Sequence, residues 1–300
     1  MNKPILKQIV ALGEKYYDVI DSPIHLHESA RIFEYGIRGN MAEFMSRNRW
    51  TMVPSLWIPI ISILLYYSTI NTLIKGDAST YMTWFQTAII WFWGFLSWTN
   101  LEWTLHRWIF HVEHWVNYDF FKTPWFIRSH FLLHGIYHLL PSDPYRLVMP
   151  PWNSFFIIIP ISWFWSLFLI PAIWGAFFSG LLTGYICYDL AHYFLHHGGT
   201  SITYLQSLRT HHMVHHYTNV DEGYGVSSKL WDYLLGDLGI RNNFITAKLG
   251  RWAVKGKTAV DELPLFKYHA TICFIVTTCI PYFIGQYFIR QLPQEATYAL

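Results

Sequence analysis

The sequence predicts an all-α integral membrane protein with a four-span helical core, a histidine-rich cap on the cytosolic side, and a further span near the C-terminus. Three observations lead there. Hydrophobic residues make up 53% of the 300 and charged residues only 13%, against roughly 25% charged in an ordinary soluble domain. Aromatic residues reach 19%, with 16 Trp, and Trp and Tyr collect where lipid meets water. Histidine is over-represented at 16, most of it in tight groups. The net charge of +2 offers no broad basic surface, so nucleic acid is not an expected partner. Cys187, Cys273 and Cys279 have no paired spacing and predict no disulfide framework.

Residues 1–50 read as a cytosolic N-terminal segment. Ile5, Ile9, Leu12 and Tyr16 recur at helical spacing and predict an amphipathic surface helix. The stretch lacks the uninterrupted apolar core and small-residue cleavage site of a signal peptide. Its acidic residues, Glu14, Asp18 and Asp21, argue against a mitochondrial presequence. His25 and His27 read as surface residues.

Five apolar stretches follow: Val53 to Ile74, Thr83 to Trp98, Phe155 to Ile173, Ala176 to Leu195, and Thr271 to Ile289, the last broken by Pro281. A helix needs about 20 apolar residues to cross the hydrocarbon core, and each stretch approaches that length. Segments 1–50, 101–154 and 189–270 hold 19 of the 21 Lys and Arg. Positive charge favours the cytoplasmic face, so all three are expected there, and the spans form two hairpins and a last single crossing. Every histidine cluster then falls on one face. The domain reading is 1–50, a membrane domain over 51–236, and a C-terminal extension over 237–300. Its last span is a candidate anchor or docking helix for another membrane protein.

Four clusters carry the chemistry: His106 with His111, His134 with His138, His192 with His196, and His212 with His215 and His216. On a helix, residues i and i+3 or i+4 share a face, so the last two clusters each aim their imidazoles together. The five-residue step from His106 to His111 stands about 140° off register on an ideal α-helix, so these two require a different approach or a distorted helix. Many buried imidazoles without a metal would each need hydrogen-bond partners. Imidazole suits Zn, Cu, Fe and Ni, and their number exceeds the four that complete a tetrahedral ion, so two ions are expected. The clusters contain no cysteine, which argues against an iron–sulfur centre. Paired b-type haems with four axial histidines stay open as an alternative, but leave several imidazoles unused.

The stretches WTLHRWIFH (103–111), HFLLHGIYHLLPSDPYRLVMPP (130–151), GYICYDLAHYFLHH (184–197) and HHMVHHYTNVDEGYGVSSKLWD (211–232) resemble the fatty acid hydroxylase superfamily, and within it the fatty acid/sphingolipid 2-hydroxylases. WTMVPSLWIPI (51–61) is similar to the start of that family's first span. The resemblance covers about residues 30–236. It implies a four-span core, two metals under a cytosolic cap, and O2-dependent oxidation of a membrane lipid at the carbon next to the acyl carbonyl. It also implies electrons from a cytochrome b5-type donor and residence in the endoplasmic reticulum, with the mitochondrial inner membrane as the alternative. The implied ligands are His106, His111, His134, His138, His192, His196, His212, His215 and His216. Redox work on O2 implies iron, since zinc cannot change oxidation state, although zinc can occupy such a site in a purified sample. Asp189, one turn before His192, is expected to orient an imidazole.

The chain departs from the family pattern in three places. Tyr137 stands where the family has histidine, and a phenol of pKa about 10 is a poor ligand for ferrous iron. No cytochrome b5 segment occurs in these residues, so a separate electron donor is expected. Residues 237–300 extend beyond the usual core. These departures keep open a second reading, a catalytically degenerate relative retained as an accessory subunit of a membrane complex. A sterol oxidase or desaturase is a third. Of the remaining residues, His114 and His130 flank clusters, His197 and His211 neighbour ligands but point elsewhere, and His269 reads as interfacial. Trp98, Trp103, Trp108, Trp115 and Trp125 read as an aromatic belt, and Gly223 and Gly225 as a chain reversal.

Overall fold

The computed structural model describes residues 4–26, 28–74, 84–112, 118–235, 259–280, 282–284 and 287. His27, His114, Trp115, Pro281 and most of the extension beyond residue 236 lie outside them. The described residues are helical, with no strand among them, in agreement with the all-α expectation. They fall into two compact units. One contains residues 1–50, 103–153 and 188–269, and the other 51–102, 154–187 and 270–300.

The second unit holds α4 (Met52–Ile74), most of α5 (Trp84–Leu105), α8 (Pro151–Ser166), the first part of α9 (Pro171–His197) and the end of α12 (Ala259–Phe274). Small residues set its packing. A Cβ at Gly94 would strike the Phe177 carbonyl, and one at Gly180 the Trp91 carbonyl, so α5 and α9 cross with their backbones nearly touching. Trp57 packs on Phe155 and Tyr185 with ring centres 5.2 and 5.7 Å apart. The chain continues from α12 through a π-turn, Ile275–Cys279. Here Thr277 and Val276 carbonyls accept the indole N–H groups of Trp165 (2.8 Å) and Trp93 (3.2 Å). The candidate docking helix is therefore tied into its own unit by two buried or half-buried tryptophans.

One helix segment among the described residues, Met52–Thr69, is long and apolar enough to cross a bilayer. α8 has 16 residues, about 24 Å at 1.5 Å per residue, short of a ~30 Å hydrocarbon core. α5 and α9 are longer, at 22 and 27 residues, but interleave Thr, Ser, Gly, Asn and Tyr with their apolar residues. Large apolar side chains nevertheless stand exposed along this unit, among them Ile63, Trp84, Phe156 and Trp163. An exposed apolar surface of that kind marks contact with lipid or another protein.

The first unit is built around α1 (Ile5–Ala11), α2 (Tyr16–Ile20), α3 (Ile37–Ser46), α6 (Pro124–His130), α7 (Ile136–Leu139), α10 (Thr203–Tyr217), α11 (Leu230–Leu235) and the end of α9. The N-terminal helix expected at a surface is instead a core element. Ile5, Ile9, Tyr16 and Ile20 are buried against Ile127, Phe131 and Ile136. Its apolar stripe finds a protein partner because the chain returns over it: Ile5 and Leu6 N–H groups donate to the Arg31 and Ile32 carbonyls, both at 3.1 Å. α6 starts cleanly, with the Thr123 hydroxyl accepting the Phe126 N–H and Pro124 in the first turn. The aromatic-belt reading also needs correction. Trp98, Trp103 and Trp108 are buried, Trp103 completely, and only Trp125 of those described is exposed. These indoles fill the interior because each has a ring or acceptor to meet there; Trp103 donates to Asp232 at 2.8 Å.

Candidate metal centre

The sequence left His106 and His111 out of register on an α-helix, and the chain resolves this by changing helix type. Residues His106–Phe110 form a π-turn in which the His111 N–H donates to the His106 carbonyl at 3.0 Å. An i to i+5 turn brings residues five apart onto one side, and such turns recur at functional sites. The two rings end 4.9 Å apart, with their Nε2 atoms at 3.2 Å. A second π-turn, Phe131–Gly135, leads into α7 and carries His134 beside His138, ring centres 4.6 Å apart. His192 and His196 use ordinary i, i+4 spacing on α9. His212, His215 and His216 share one side of α10.

All nine expected histidines converge. Two groups of four hold ligand atoms within 4.8 Å of one another: His106, His111, His138 and His215, and His192, His196, His212 and His216. His134 joins the first, its Nε2 at 3.1 Å from that of His111. In the second, His196 and His212 Nε2 atoms are 3.1 Å apart. The groups adjoin, since the His138 and His216 rings stack at 4.3 Å.

These residues fit metal ions on three counts. Nitrogens bound at ~2.1 Å to one ion stand about 3.0–3.4 Å apart at right-angled to tetrahedral geometry, the spacing of the His106–His111, His111–His134 and His196–His212 pairs. Nε2 of His215 and both ring nitrogens of His138 are buried without a hydrogen-bond partner among the described residues, which is costly unless something else is bound there. And the rings are neutral. Burial first, and neighbouring imidazoles second, hold His111, His134, His138, His212 and His216 well below the usual histidine range. Burial likewise lowers His106 to about 4, against the opposing pull of the Tyr224 carbonyl.

An outer layer fixes which nitrogen faces inward. The Nδ1–H of His106 donates to the Tyr224 carbonyl at 2.5 Å, and that of His215 to the Glu222 carbonyl at 2.8 Å, leaving Nε2 as the free donor atom of each. Asp232, fully buried, organises the loop that supplies those carbonyls. It accepts the Tyr224 and Gly225 N–H groups, both at 2.9 Å, together with Trp103 Nε1 and His211 Nε2. Gly223 has φ of 77°, and a Cβ at Gly225 would strike the Ser228 carbonyl. The glycines read as a simple reversal are thus required to deliver two backbone acceptors. His130 is also internal. Its Nε2–H donates to the Phe110 carbonyl and its Nδ1 accepts from the Tyr16 hydroxyl at 2.6 Å. Sequence reasoning missed Asp232, although it closes the last quoted motif.

The other singled-out residues are placed as follows. Asp189 accepts the Met149 N–H at 3.1 and 3.2 Å. Tyr137 is buried edge-on to His192, ring centres 5.5 Å apart. Burial, with Asp189 next, pushes its phenol well above the usual range, so it is a neutral O–H. His25 lies against Ser142 and stacks on Tyr217 at 5.8 Å. His269, expected at an interface, is buried edge-on to Trp103 at 4.8 Å.

Nine imidazoles, eight of them buried and His196 partly so, converge in two adjoining groups, and the chain belongs to the fatty acid hydroxylase family, whose model matches residues 91–237. It is 37% identical over 238 residues to a dihydroceramide fatty acyl 2-hydroxylase of Arabidopsis thaliana, covering 79% of this chain and 92% of that one. It is also 37% identical to a ceramide very long chain fatty acid hydroxylase of Schizosaccharomyces pombe, covering 80% of this chain but 65% of the relative. Among solved structures, full-length scs7p, with only its hydroxylase domain visible, matches with a TM-score of 0.68 and 33% identity over 79% of this chain and 83% of that one.

Proposed function

We propose that this chain is a membrane monooxygenase that uses two metal ions and O2 to hydroxylate a fatty acyl chain, free or in a sphingolipid, at the carbon next to the carbonyl. The observation that carries this reading is the pair of adjoining, neutral, all-imidazole groups, together with relatives named as fatty acyl 2-hydroxylases. His106, His111, His134, His138 and His215 would hold one ion, and His192, His196, His212 and His216 the other. Iron, when bound, supplies the one-electron chemistry that O2 activation requires.

The chain's own residues do the rest. The Tyr224 and Glu222 carbonyls hold His106 and His215 in the tautomer that presents Nε2. Burial keeps the imidazoles unprotonated and excludes water, which strengthens every polar interaction in the site. Each group has four imidazoles without any ligand from position 137, enough for a full tetrahedral set. That favours the enzyme over the accessory-subunit reading.

In the same proposal, the chain resides in the endoplasmic reticulum membrane with α4 as its clearest crossing helix, and a separate cytochrome b5-type protein delivers electrons. The test is expression in a host lacking 2-hydroxylated lipids, followed by lipid mass spectrometry. New 2-hydroxyacyl species that vanish in His111→Ala support the proposal. A host lipid profile unchanged despite stable expression beside a cytochrome b5 and its reductase refutes it.

A further inference from the structure

A cavity of about 430 Å³ lies within the first unit between α3, α7 and the segment leading to residue 153, inside the ~300–1,000 Å³ range of small-ligand pockets. α3 presents one face to it, with Ile37, Met41 and Met45 spaced at i, i+4 and i+8. Leu132, Ile136 and Trp152 complete an apolar wall. Ile37, Met41 and Trp152 are exposed as well, so the apolar lining continues to the protein surface. Such a lining suits an alkyl chain.

The polar groups in this wall differ in what they meet. Arg146 directs Nη1 to Ser46 and Nη2 to Glu43 and the Ala30 carbonyl. Asn153 donates to the Leu132 carbonyl at 2.9 Å. Arg146 Nε is also buried without a partner, but its other two nitrogens are held; Tyr137 has a single polar side-chain atom, and that atom has no partner among the described residues. Its hydroxyl is buried, and a buried hydroxyl without a partner costs about 1–3 kcal/mol. The same ring touches His192 of the second imidazole group. One residue therefore joins the apolar cavity to the metal centre and carries an unused hydrogen-bond donor at the junction.

We propose that Tyr137 donates its hydroxyl hydrogen to the acyl carbonyl oxygen of a lipid whose alkyl chain occupies the cavity beneath α3. The contact fixes the carbonyl beside His192, so the carbon next to it is the one presented to the metals. This rests on the hydroxylase reading for its chemistry, but it makes a separate claim about binding. Tyr137 is then a substrate-binding phenol beside the second imidazole group.

The test uses the full-length, metal-loaded protein in detergent micelles and two probes of equal length: an N-acyl long-chain amine, and its analogue with the carbonyl reduced to methylene. Wild type should bind the acyl probe about five- to tenfold more tightly, the range of one hydrogen bond. Tyr137→Phe, with metal content unchanged, should lose that preference and retain the reduced probe's affinity. Met45→Trp, which fills the cavity, should weaken both probes. Retention of the full preference in Tyr137→Phe, or unaltered binding in Met45→Trp, overturns the proposal. If 2-hydroxy products form while either of those results holds, the hydroxylase reading survives without it; if no product forms yet the binding pattern is as expected, the reverse is true.

Discussion

Replacing Asp232 with Asn probes how the outer layer supports the metal centre. The change keeps volume and shape but removes the charge and turns one oxygen into an NH2 group. In the native chain Oδ1 accepts from Trp103 Nε1 and the Tyr224 N–H, and Oδ2 from the Gly225 N–H and His211 Nε2. Asn keeps one carbonyl oxygen, so two of four hydrogen bonds to a buried charge are lost. At about 1.5–3 kcal/mol each, the cost is about 3–6 kcal/mol, or a melting temperature lower by at least ~6 °C for a chain of this size. The damage should be local. Freed from Asp232, the 222–225 loop no longer holds its carbonyls against His106 and His215, and loss of such a partner typically weakens a metal site about 10- to 100-fold. Elemental mass spectrometry after dialysis against a weak chelator should then find the first group depleted and the second still loaded, near one metal per chain. Two metals retained with an unchanged melting temperature would refute the argument.

Other perturbations have equally definite outcomes. Gly225→Ala should destabilise by about 1–3 kcal/mol and lower metal retention, because its Cβ meets the Ser228 carbonyl; thermal melting and metal analysis check both. Tyr16→Phe should cost about 1 kcal/mol through the lost bond to His130, read as a lower melting temperature with metal content unchanged. Stability of the metal-free chain should fall with acid. His130 binds its proton at about 4 when folded and at the ordinary 6.5 when unfolded, so the unfolded chain protonates first. Stability is complete above pH 6.5 and declines toward pH 4 by up to ~1.4 kcal/mol per unit for this residue. His130→Gln should show a shallower decline in melts at pH 7.5, 6 and 5.

Part of this centre was legible in the sequence and part was not, for physical reasons. The α9 and α10 histidines follow i, i+3 and i+4 spacing on regular helices, so their common face could be read directly. His106 and His111 could not be placed together, because a π-turn is set by the surrounding packing and leaves no periodic signal. The carbonyls of Glu222 and Tyr224 are backbone atoms, invisible to any residue pattern, and Asp232 acts through them. α1 is amphipathic as read, yet its apolar face meets Phe131 and Ile136; periodicity shows that a face is buried but not what buries it. Trp103 and Trp108 belong to the core for a related reason, since composition cannot distinguish an indole facing lipid from one with a buried acceptor.

The central claim is that two adjoining imidazole groups each hold a metal ion and that Tyr137 is a ligand in neither. Metal content per chain, measured by elemental mass spectrometry on the purified full-length protein and three variants, tests it most directly. The account predicts two metals in the native chain, two in Tyr137→His, and one in each of the His111→Ala/His134→Ala double variant and His216→Ala. One metal or fewer in the native chain, rising to two in Tyr137→His, would contradict it.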